Sequence, residues 1–251
     1  MQIVKLGGSA ITKKSGYMEA DCAAISRLSS AIASAISQGA GELIVVHGAG
    51  SFGHAPVLKY GLNGGVRTPL QKKGCRKTQE ACAKLSSLVA KALLKKGVPA
   101  VAIPPHEIIK SRNRRIAKMD AARIKAALAA GKVPVLYGDM VPDSKLGFSV
   151  CSGDQIVSYL GKRAKRITLA TNVDGVLVDG KVVPAISGKN FSKIKRHLRA
   201  SGAPDVTGGM AGKIAELLRV KAPCYIVNAK KPARLTALLL GKKAPSTKVK
   251  F

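Results

Sequence analysis

The chain has no tryptophan, and only four phenylalanines and five tyrosines occur among its 251 residues. Proteins that bind single-stranded nucleic acid stack the bases on aromatic side chains, so this scarcity argues against that class of function. The chain also lacks any apolar run near the ~20 residues that a membrane-spanning helix requires. Because the strand-like stretch 2–6 begins almost at the first residue, we expect a cytoplasmic protein without a membrane partner.

Closely paired cysteines are missing as well. The five cysteines are odd in number and scattered, without the spacing that zinc ligands show. We therefore predict reduced thiols that serve mainly in packing: Cys22, Cys75, Cys82, Cys151 and Cys224.

Acidic residues are few, since 13 Asp and Glu stand against 43 Lys and Arg and leave a net charge of +30. A charge of this size raises the question of nucleic acid. The basic residues, however, are spread over every segment and form no nucleic-acid-binding motif. We interpret them as a solvated basic surface, with attraction of polyanionic substrates as the alternative, and expect no nucleic-acid partner.

Short apolar runs alternate with segments of helical periodicity. Strands are predicted at 2–6, 43–47, 98–103, 133–137, 167–171 and 225–227, and helices at 19–38, 71–96, 120–130, 155–160 and 210–219. This alternation predicts an α/β fold, with a mainly parallel central sheet and helices on both faces. Asp179-Gly180 predicts a hairpin late in the chain. The last stretch, 241–251, fits a short edge strand or a loose basic tail.

Glycine-rich loops follow the first two predicted strands. The first glycine loop, residues 5–9, reads Lys-Leu-Gly-Gly-Ser, and with Lys14 beyond it two lysines are suited to hold an anion from two sides. The second glycine loop, residues 47–54, matches neither the Walker pattern nor the dinucleotide fingerprint, so we interpret it as a phosphate-binding loop of another type. His54 is interpreted as a donor to the bound anion, with an ordinary histidine at a helix N-terminus as the alternative. His47 is interpreted as structural.

Small and polar residues recur at later strand ends. The segment 151–154 precedes a predicted helix, where Asp154 is also an ordinary first-turn acid that complements the helix dipole. The segments 171–176 and 205–213 contain turn formers, and Lys213 adds a positive charge one turn into the last of the predicted helices. The two other histidines are interpreted as surface or loop residues: His106 and His197.

Four motifs in this order resemble the amino acid kinase superfamily over nearly the whole chain: Lys5-x-Gly-Gly-Ser, His47-Gly-Ala-Gly, Thr171-Asn-Val-Asp-Gly-Val and Asp205-x-Thr-Gly-Gly-Met-x-x-Lys213. Within it, the second glycine loop and the Ile-Thr-x-Lys segment that ends at Lys14 resemble the isopentenyl phosphate kinase family of the alternative mevalonate route. The resemblance implies an open three-layer αβα sandwich, residues 1–251, with an acceptor-binding lobe (1–160) and an ATP-binding lobe (161–251). It also implies a homodimer that uses ATP and Mg²⁺ to convert isopentenyl phosphate to isopentenyl diphosphate in isoprenoid biosynthesis.

The same resemblance implies roles for individual residues, with no magnesium ligands assigned. Those implied to be catalytic are Lys5, Lys14 and His54. Those implied to bind the acceptor phosphate are Ala49, His54 and Gly153. Those implied to bind ATP are Lys5, Gly8, Ser9, Gly50, Asp174, Gly175, Gly209 and Lys213. Ala49 stands where many relatives have glycine, and a backbone N–H contact survives that change.

The residue types agree with phosphoryl transfer to a phosphate group. A phosphate monoester has a second pKa near ~6 and is mostly a dianion at neutral pH, so its oxygen needs no general base. The obstacle is repulsion between two anions, which lysines, a histidine and backbone N–H groups reduce. For the acceptor's hydrocarbon tail we predict a pocket, with ordinary core packing as the alternative, formed by Val57, Leu58, Tyr60, Ile156 and the inward face of helix 71–96.

Two other functions stay open. A kinase of the same fold for another small phosphate or phosphonate, similar to fosfomycin kinases, would share the histidine. A basic nucleic-acid-binding or regulatory protein built on a kinase fold is supported only by the net charge of +30.

Overall fold

The structure is a computed structural model that describes residues 1–13, 16–199 and 209–251. Its strands are β1 (Gln2–Leu6), β2 (Leu43–His47), β3 (Ala100–Ala102), β4 (Ile109–Arg112), β5 (Arg115–Met119), β6 (Val133–Tyr137), β7 (Asp139–Asp143), β8 (Gly147–Cys151), β9 (Arg166–Thr171), β10 (Leu177–Val178), β11 (Lys181–Val182), β12 (Ala185–Ile186), β13 (Cys224–Asn228) and β14 (Thr247–Val249). Its helices are α1 (Gly8–Ile11), α2 (Cys22–Ser37), α3 (Gly50–Lys59), α4 (Pro69–Leu94), α5 (Pro105–Ile108), α6 (Ala122–Ala129), α7 (Gly153–Leu160), α8 (Gly188–Arg199), α9 (Gly209–Leu217) and α10 (Pro232–Leu239).

The long helix α4 shows how local sequence sets the ends of a helix. The Thr68 side chain accepts a hydrogen bond from the N–H of Gln71, and the Gln71 side chain accepts one from the N–H of Thr68. Pro69 then occupies a first-turn position that needs no N–H donor. After the helix, Gly97 adopts a φ of +78°. The helix therefore begins two residues before the apolar periodicity predicts, because the cap decides its start.

The main sheet of the described residues has eight strands in the order β12-β14-β13-β9-β1-β2-β6-β3. From β13 to β3 all neighbouring strands are parallel, whereas β14 runs antiparallel to β13. The predicted mainly parallel sheet is confirmed. Because parallel strands point the same way, the loops that follow β1, β2, β6 and β9 meet at one edge of the sheet.

Helices cover both faces of this sheet, which confirms the three-layer αβα architecture. Val4 of β1 packs in the apolar cluster that contains the buried side chains of α2, α4 and α10. Its neighbour Ile3 packs in the cluster that contains those of α6, α7 and α9. Successive side chains of a strand point to opposite faces, so Lys5 shares the α7 face with Ile3. None of the described helices is long and apolar enough to cross a membrane.

A second, smaller sheet in the order β5-β4-β7-β8 was missed by the sequence analysis. The β4–β5 hairpin turns at Asn113 and Arg114, which both have positive φ, and β7 and β8 are antiparallel. Strand β5 reads Arg-Ile-Ala-Lys-Met and is mostly exposed, so it lacks the apolar run that marks a buried strand. The expectation of one main sheet with a single added hairpin was therefore incomplete.

The hairpin predicted late in the chain is confirmed. Strands β10 and β11 are antiparallel, and Asp179 and Gly180 between them both have positive φ, as a two-residue type I′ turn requires. The C-terminal stretch forms β14, but β14 lies between β12 and β13, so it is not an edge strand. The division into lobes 1–160 and 161–251 stays a prediction, and β9 from the second segment pairs directly with β1 from the first.

Candidate active site

A cavity of about 580 Å³ opens at the carboxyl ends of β1, β2, β6 and β9. Ligands of α/β proteins bind in such crevices outside the strand ends. The residues predicted from the sequence that line it are Lys5, Gly8, Ser9, Ala49, Gly50, His54, Gly153 and Lys213. The structure thus brings both glycine loops, the start of α7 and one face of α9 to a common space.

The two glycine loops pack against each other backbone to backbone. A Cβ atom on Gly8 would lie 2.5 Å from the N of Gly50, and one on Gly48 would lie 2.6 Å from the N of Gly8. Gly50 also adopts a φ of +52°. The hydroxyl of Thr12 donates to the carbonyl of Gly8 at 2.9 Å and accepts from the N–H of Ser51 at 3.2 Å. Only glycine allows this approach, which leaves the cavity floor lined by main chain.

Lys5 reaches across the sheet edge to Asp154. Its Nζ lies 2.7 Å from Asp154 Oδ1, and the two residues are only 3% and 8% exposed. Gly153 makes room for this contact, because a Cβ there would lie 3.2 Å from Lys5 Cε and 3.0 Å from the carbonyl oxygen of His47. Asp154 is therefore more than a first-turn acid, since it holds a buried cation at the cavity floor.

Ala49, Gly50 and His54 belong to the start of α3. Ala49 precedes the helix, Gly50 is its first residue, and His54 follows four residues later, partly buried and lining the cavity. The Ala49 methyl is accommodated by Gly53, where a Cβ would lie 2.4 Å from it. The sequence predicted this histidine at the mouth of a glycine loop, and the structure places it there.

The residues implied for ATP binding in the second half of the chain are only partly brought together. Lys213 lines the cavity from α9, and Gly209 is the first residue of that helix. Asp174 and Gly175 lie beyond the cavity lining. Asp174 binds Asn228, Lys231 and Arg234 instead, and its pKa is lowered first by the hydrogen bond from Lys231.

Lys14 lies outside the described residues. The segment 200–208, which contains Asp205, lies outside them as well. The chain beside Lys14 is described up to Lys13, which lines the cavity and whose Nζ lies 2.5 Å from Glu19 Oε1.

The apolar end of the cavity differs from the predicted tail pocket. Val57 lines it as predicted, but Leu58 is 61% exposed, and neither Tyr60 nor Ile156 reaches it. Leu58 points to solvent because it follows Val57 by one position on α3, while Ile156 is buried in the α7 layer. Thr78 and Cys82 line it from α4, as predicted for the inward face of helix 71–96, and the other apolar side chains at this end are Met140, Val150 and Cys151.

Known proteins share the sequence pattern of this chain. The sequence profile of the amino acid kinase family matches residues 1–228. The chain belongs to the amino acid kinase family. It is 37% identical to an isopentenyl phosphate kinase of Methanothermobacter thermautotrophicus, over 99% of this chain and 98% of the relative. It is 34% identical to one of Methanocaldococcus jannaschii, over 96% of this chain and 95% of the relative.

Solved structures agree with this membership. A structure described as "X-ray structures of isopentenyl phosphate kinase" matches with a TM-score of 0.85 and 34% identity, over 99% of both chains. A crystal structure of an isopentenyl phosphate kinase substrate complex matches with a TM-score of 0.77 and 25% identity, over 100% of both chains. The resemblance to amino acid kinases predicted from the motifs is confirmed.

The sequence did not predict one contact between two side chains of this amino acid kinase, that of His106 with Asp139. His106 Nδ1 lies 2.7 Å from Oδ2 of Asp139, a cavity-lining residue whose side chain is buried. Burial raises the pKa of Asp139 despite this contact, and the hydrogen bond to Asp139 raises that of His106. His106 is therefore not a free surface residue, contrary to the prediction. The position of Asp139 directly after Gly138 at a strand end was the available signal.

His47 agrees with its predicted structural role. It is fully buried, its ring stacks on Tyr137 at 5.4 Å between centroids, and its Nδ1 lies 3.0 Å from the carbonyl oxygen of Gly48. Because a carbonyl only accepts, Nδ1 carries the proton. Burial lowers the pKa of His47 to about 4, so the ring is neutral at pH 7.

The described residues contain no group of three or more His, Cys, Asp or Glu side chains suited to a metal ion. Among the residues that the structure describes, two carboxylates line the cavity: Asp139, which binds His106, and Asp154, which binds Lys5. This arrangement does not fit a resident magnesium site.

Proposed function

We propose that this amino acid kinase transfers the γ-phosphoryl group of ATP to isopentenyl phosphate and forms isopentenyl diphosphate. The observation that carries the proposal is the cavity in which Lys5, Lys213 and His54 meet two glycine loops at one end and apolar side chains at the other. The charged end suits phosphates, and the apolar end suits a short hydrocarbon tail. The similarity to curated isopentenyl phosphate kinases supports the same substrate.

The chemistry requires positioning rather than a general base. An acceptor phosphate is mostly dianionic at pH 7, so its oxygen attacks the γ-phosphorus directly while the bond to the ADP oxygen breaks. The chain must bring two anions in line and neutralise the charge that spreads over the transferring group. Lys5 is suited to this task because Asp154 fixes its ammonium group at the cavity floor.

We assign the acceptor phosphate to the start of α3. His54 donates a hydrogen bond to it, and the backbone at Ala49 and Gly153 contributes N–H groups near two helix N-termini. Lys14 stabilises the transferring phosphoryl group together with Lys5. These roles follow the family's pattern, and the cavity supports those of His54, Ala49 and Gly153.

We assign ATP to the side of the cavity formed by Ser9, Gly8, Gly50 and Lys213. Gly209, Asp174 and Gly175 complete the predicted nucleotide site at its outer end. Because the described carboxylates do not form a magnesium site, we infer that Mg²⁺ enters as part of the MgATP substrate, held by phosphate oxygens. The homodimer and the cytoplasmic location implied by the resemblance belong to the same proposal, and sedimentation of the purified chain tests the dimer.

The decisive experiment measures ATP consumption by the purified chain with isopentenyl phosphate, dimethylallyl phosphate and fosfomycin. We expect the highest kcat/KM with isopentenyl phosphate. A preference for fosfomycin would assign the chain to phosphonate phosphorylation instead, and no turnover with any acceptor would overturn the proposal.

The role of His54 has its own test. Removing one charged or polar donor to the reacting group typically lowers the rate ~10²–10³-fold, so His54→Ala should fall in that range. His47→Phe serves as the matched control, because His47 is buried, neutral and outside the cavity lining. Near-normal turnover of His54→Ala would remove His54 from the acceptor site.

A further inference from the structure

Arg115 and Glu216 form an ion pair that links two distant parts of the chain. Arg115 is the first residue of β5, and Glu216 lies near the end of α9, 101 residues later. Arg115 Nη1 donates to Glu216 Oε1, and Nη2 donates to Oε2 at 3.2 Å. In this two-pronged geometry, arginine and a carboxylate bind each other strongly and in one orientation.

The pair is not an ordinary surface contact. The Glu216 side chain is only 13% exposed, whereas that of Arg115 is 47% exposed. A carboxylate that is mostly removed from water becomes unfavourable when its partner is lost. Glu216 therefore favours those positions of α9 in which Arg115 can reach it.

Both elements pack against helix α7. Ile116 of β5, Val157 of α7 and Ile214 of α9 belong to one apolar cluster, and α7 contacts both β5 and α9. Helix α7 begins in the cavity and carries Asp154, the partner of Lys5. The Arg115–Glu216 pair thus ties together two elements that share α7 as a common support.

Glu216 is also close along the helix to a cavity residue. Lys213 precedes it by three positions, less than one turn of α-helix, and lines the cavity from α9. A helix moves as a stiff unit over such a distance. A shift or rotation of α9 that separates Glu216 from Arg115 therefore also displaces the Lys213 ammonium group.

We propose that Arg115 and Glu216 are positioning residues, whose ion pair holds α9 against α7 so that Lys213 faces the same cavity as Lys5. Neither of them lines that cavity. The inference rests on the proposed function, because it places Lys213 at the site of phosphoryl transfer.

Charge reversal tests the pair in the full-length chain. We expect Arg115→Glu and Glu216→Arg each to lower kcat about tenfold, since small displacements of catalytic groups can cost up to ~10²-fold. The KM for isopentenyl phosphate should stay unchanged, because the acceptor side does not involve α9. The double variant should recover most of the rate, and Arg115→Lys only part of it, since lysine lacks the planar fork.

Arg123→Glu is the matched control. Arg123 is about as exposed as Arg115, and the variant breaks its ion pair with the more exposed Glu107. That pair joins α6 to α5 and does not involve α9. We expect wild-type kinetics from this variant. Equal kinetics of wild type, Arg115→Glu and Arg123→Glu would overturn the proposal.

Hydrogen exchange of the α9 amides separates this inference from the proposed function. Arg115→Glu should exchange faster than wild type over 209–217 without substrates, and the double variant should reverse the change. If the wild type does not phosphorylate isopentenyl phosphate, the proposed function fails, and the exchange data alone decide whether the pair holds α9. Unchanged exchange in Arg115→Glu would then overturn the pair's role as well.

Discussion

The cavity floor, where the two glycine loops meet Lys5, is held by buried contacts, whereas the part of the proposed nucleotide side around Asp174 and Lys213 is held more by partly exposed side chains. On the cavity floor, Gly8, Gly48 and Gly50 leave no room for a Cβ, and Lys5 is buried against Asp154. On the nucleotide side, Asp174 binds exposed Lys231, and Lys213 contacts only the carbonyl of its own Gly209, at 3.4 Å, among the hydrogen bonds described for it.

This contrast predicts where the protein tolerates substitutions. A tightly packed, buried group of residues loses stability when one atom is added or one charge is removed, because the neighbouring atoms have no space to move and no water to replace the lost partner. Ion pairs in water exchange their partners for solvent at small cost. We therefore expect single substitutions to have large effects on the cavity floor and small effects around Asp174.

Lys5→Met should have the largest effect. It removes a cation from the reacting groups, which lowers kcat ~10²–10³-fold, and leaves Asp154 buried without its partner, which costs about 3–5 kcal/mol of unfolding free energy. Steady-state kinetics and denaturant unfolding measure the two effects.

The double variant Lys5→Met/Asp154→Leu separates the effect on kcat from the effect on stability. Replacing both charges with apolar groups should recover much of the stability without recovering the rate. If Lys5→Met kept a normal kcat and lost only stability, Lys5 would be a structural residue rather than the proposed catalytic lysine.

Gly8→Ala should have the next largest effect. Its methyl would lie 2.5 Å from the N and 2.8 Å from the Cα of Gly50, so the two glycine loops must separate. Such overpacking costs about 1–3 kcal/mol, and the displaced N–H groups should lower kcat as well. Thermal unfolding and kinetics are the measurements.

Gly64→Ala is the matched control, since a Cβ at Gly64 meets no atom within 4 Å. We expect it to behave as the wild type. Equal melting temperatures for both variants would show that the loops can move apart freely, and would contradict the contrast between the cavity floor and the residues around Asp174.

Local signals predicted much of this architecture. The strand β2 was predicted with its observed bounds because an apolar run ends at glycines, and the hairpin at Asp179-Gly180 because its turn requires those residue types. The β4–β5–β7–β8 sheet was missed because Ser111 pairs with Asp143, 32 residues further along the chain, and no local pattern reveals such a pairing.

In the candidate site, too, local patterns were predictable and contacts between distant residues were not. Glycine motifs at strand ends predicted the two loops, and the position of His54 directly after the second loop predicted it as a donor, in agreement with the family's pattern. The partner of Lys5 was not predictable, because Asp154 is 149 residues away and resembles any first-turn acid. The prediction of the tail pocket was wrong at Leu58, which is exposed. The residue at which the loop becomes α3 decides which face of that helix turns inward, and the sequence does not show it.

Asp143→Asn should have an intermediate effect that depends on pH. Burial alone would raise the pKa of Asp143, but the N–H groups of Arg114, Lys145 and Asn113 and the hydroxyl of Ser149 lower it to about 2. Because this pKa is below the unfolded value of 3.8, the stabilisation is present above pH 4 and is lost between about pH 4 and 2.

The substitution should therefore cost about 1–3 kcal/mol at pH 7 and little at pH 2. Unfolding of wild type and Asp143→Asn across this range measures the difference. A cost that is the same at both pH values would show that the side-chain shape, rather than the charge, holds the turns of the smaller sheet together.

Asp174→Asn should have the smallest effect, and it tests the other half of the contrast. Its carboxylate binds Lys231 and Arg234 near the surface, where such pairs contribute less than about fivefold to an equilibrium constant. We expect nearly unchanged thermal stability and a KM for ATP raised by less than that factor, with KM for isopentenyl phosphate unchanged. Lys231→Ala, which removes the other residue of the Lys231–Asp174 ion pair, is the matched comparison. If Asp174→Asn abolished turnover while Lys231→Ala did not, Asp174 would contact the nucleotide directly, and its ion pairs would only orient its carboxylate for that contact.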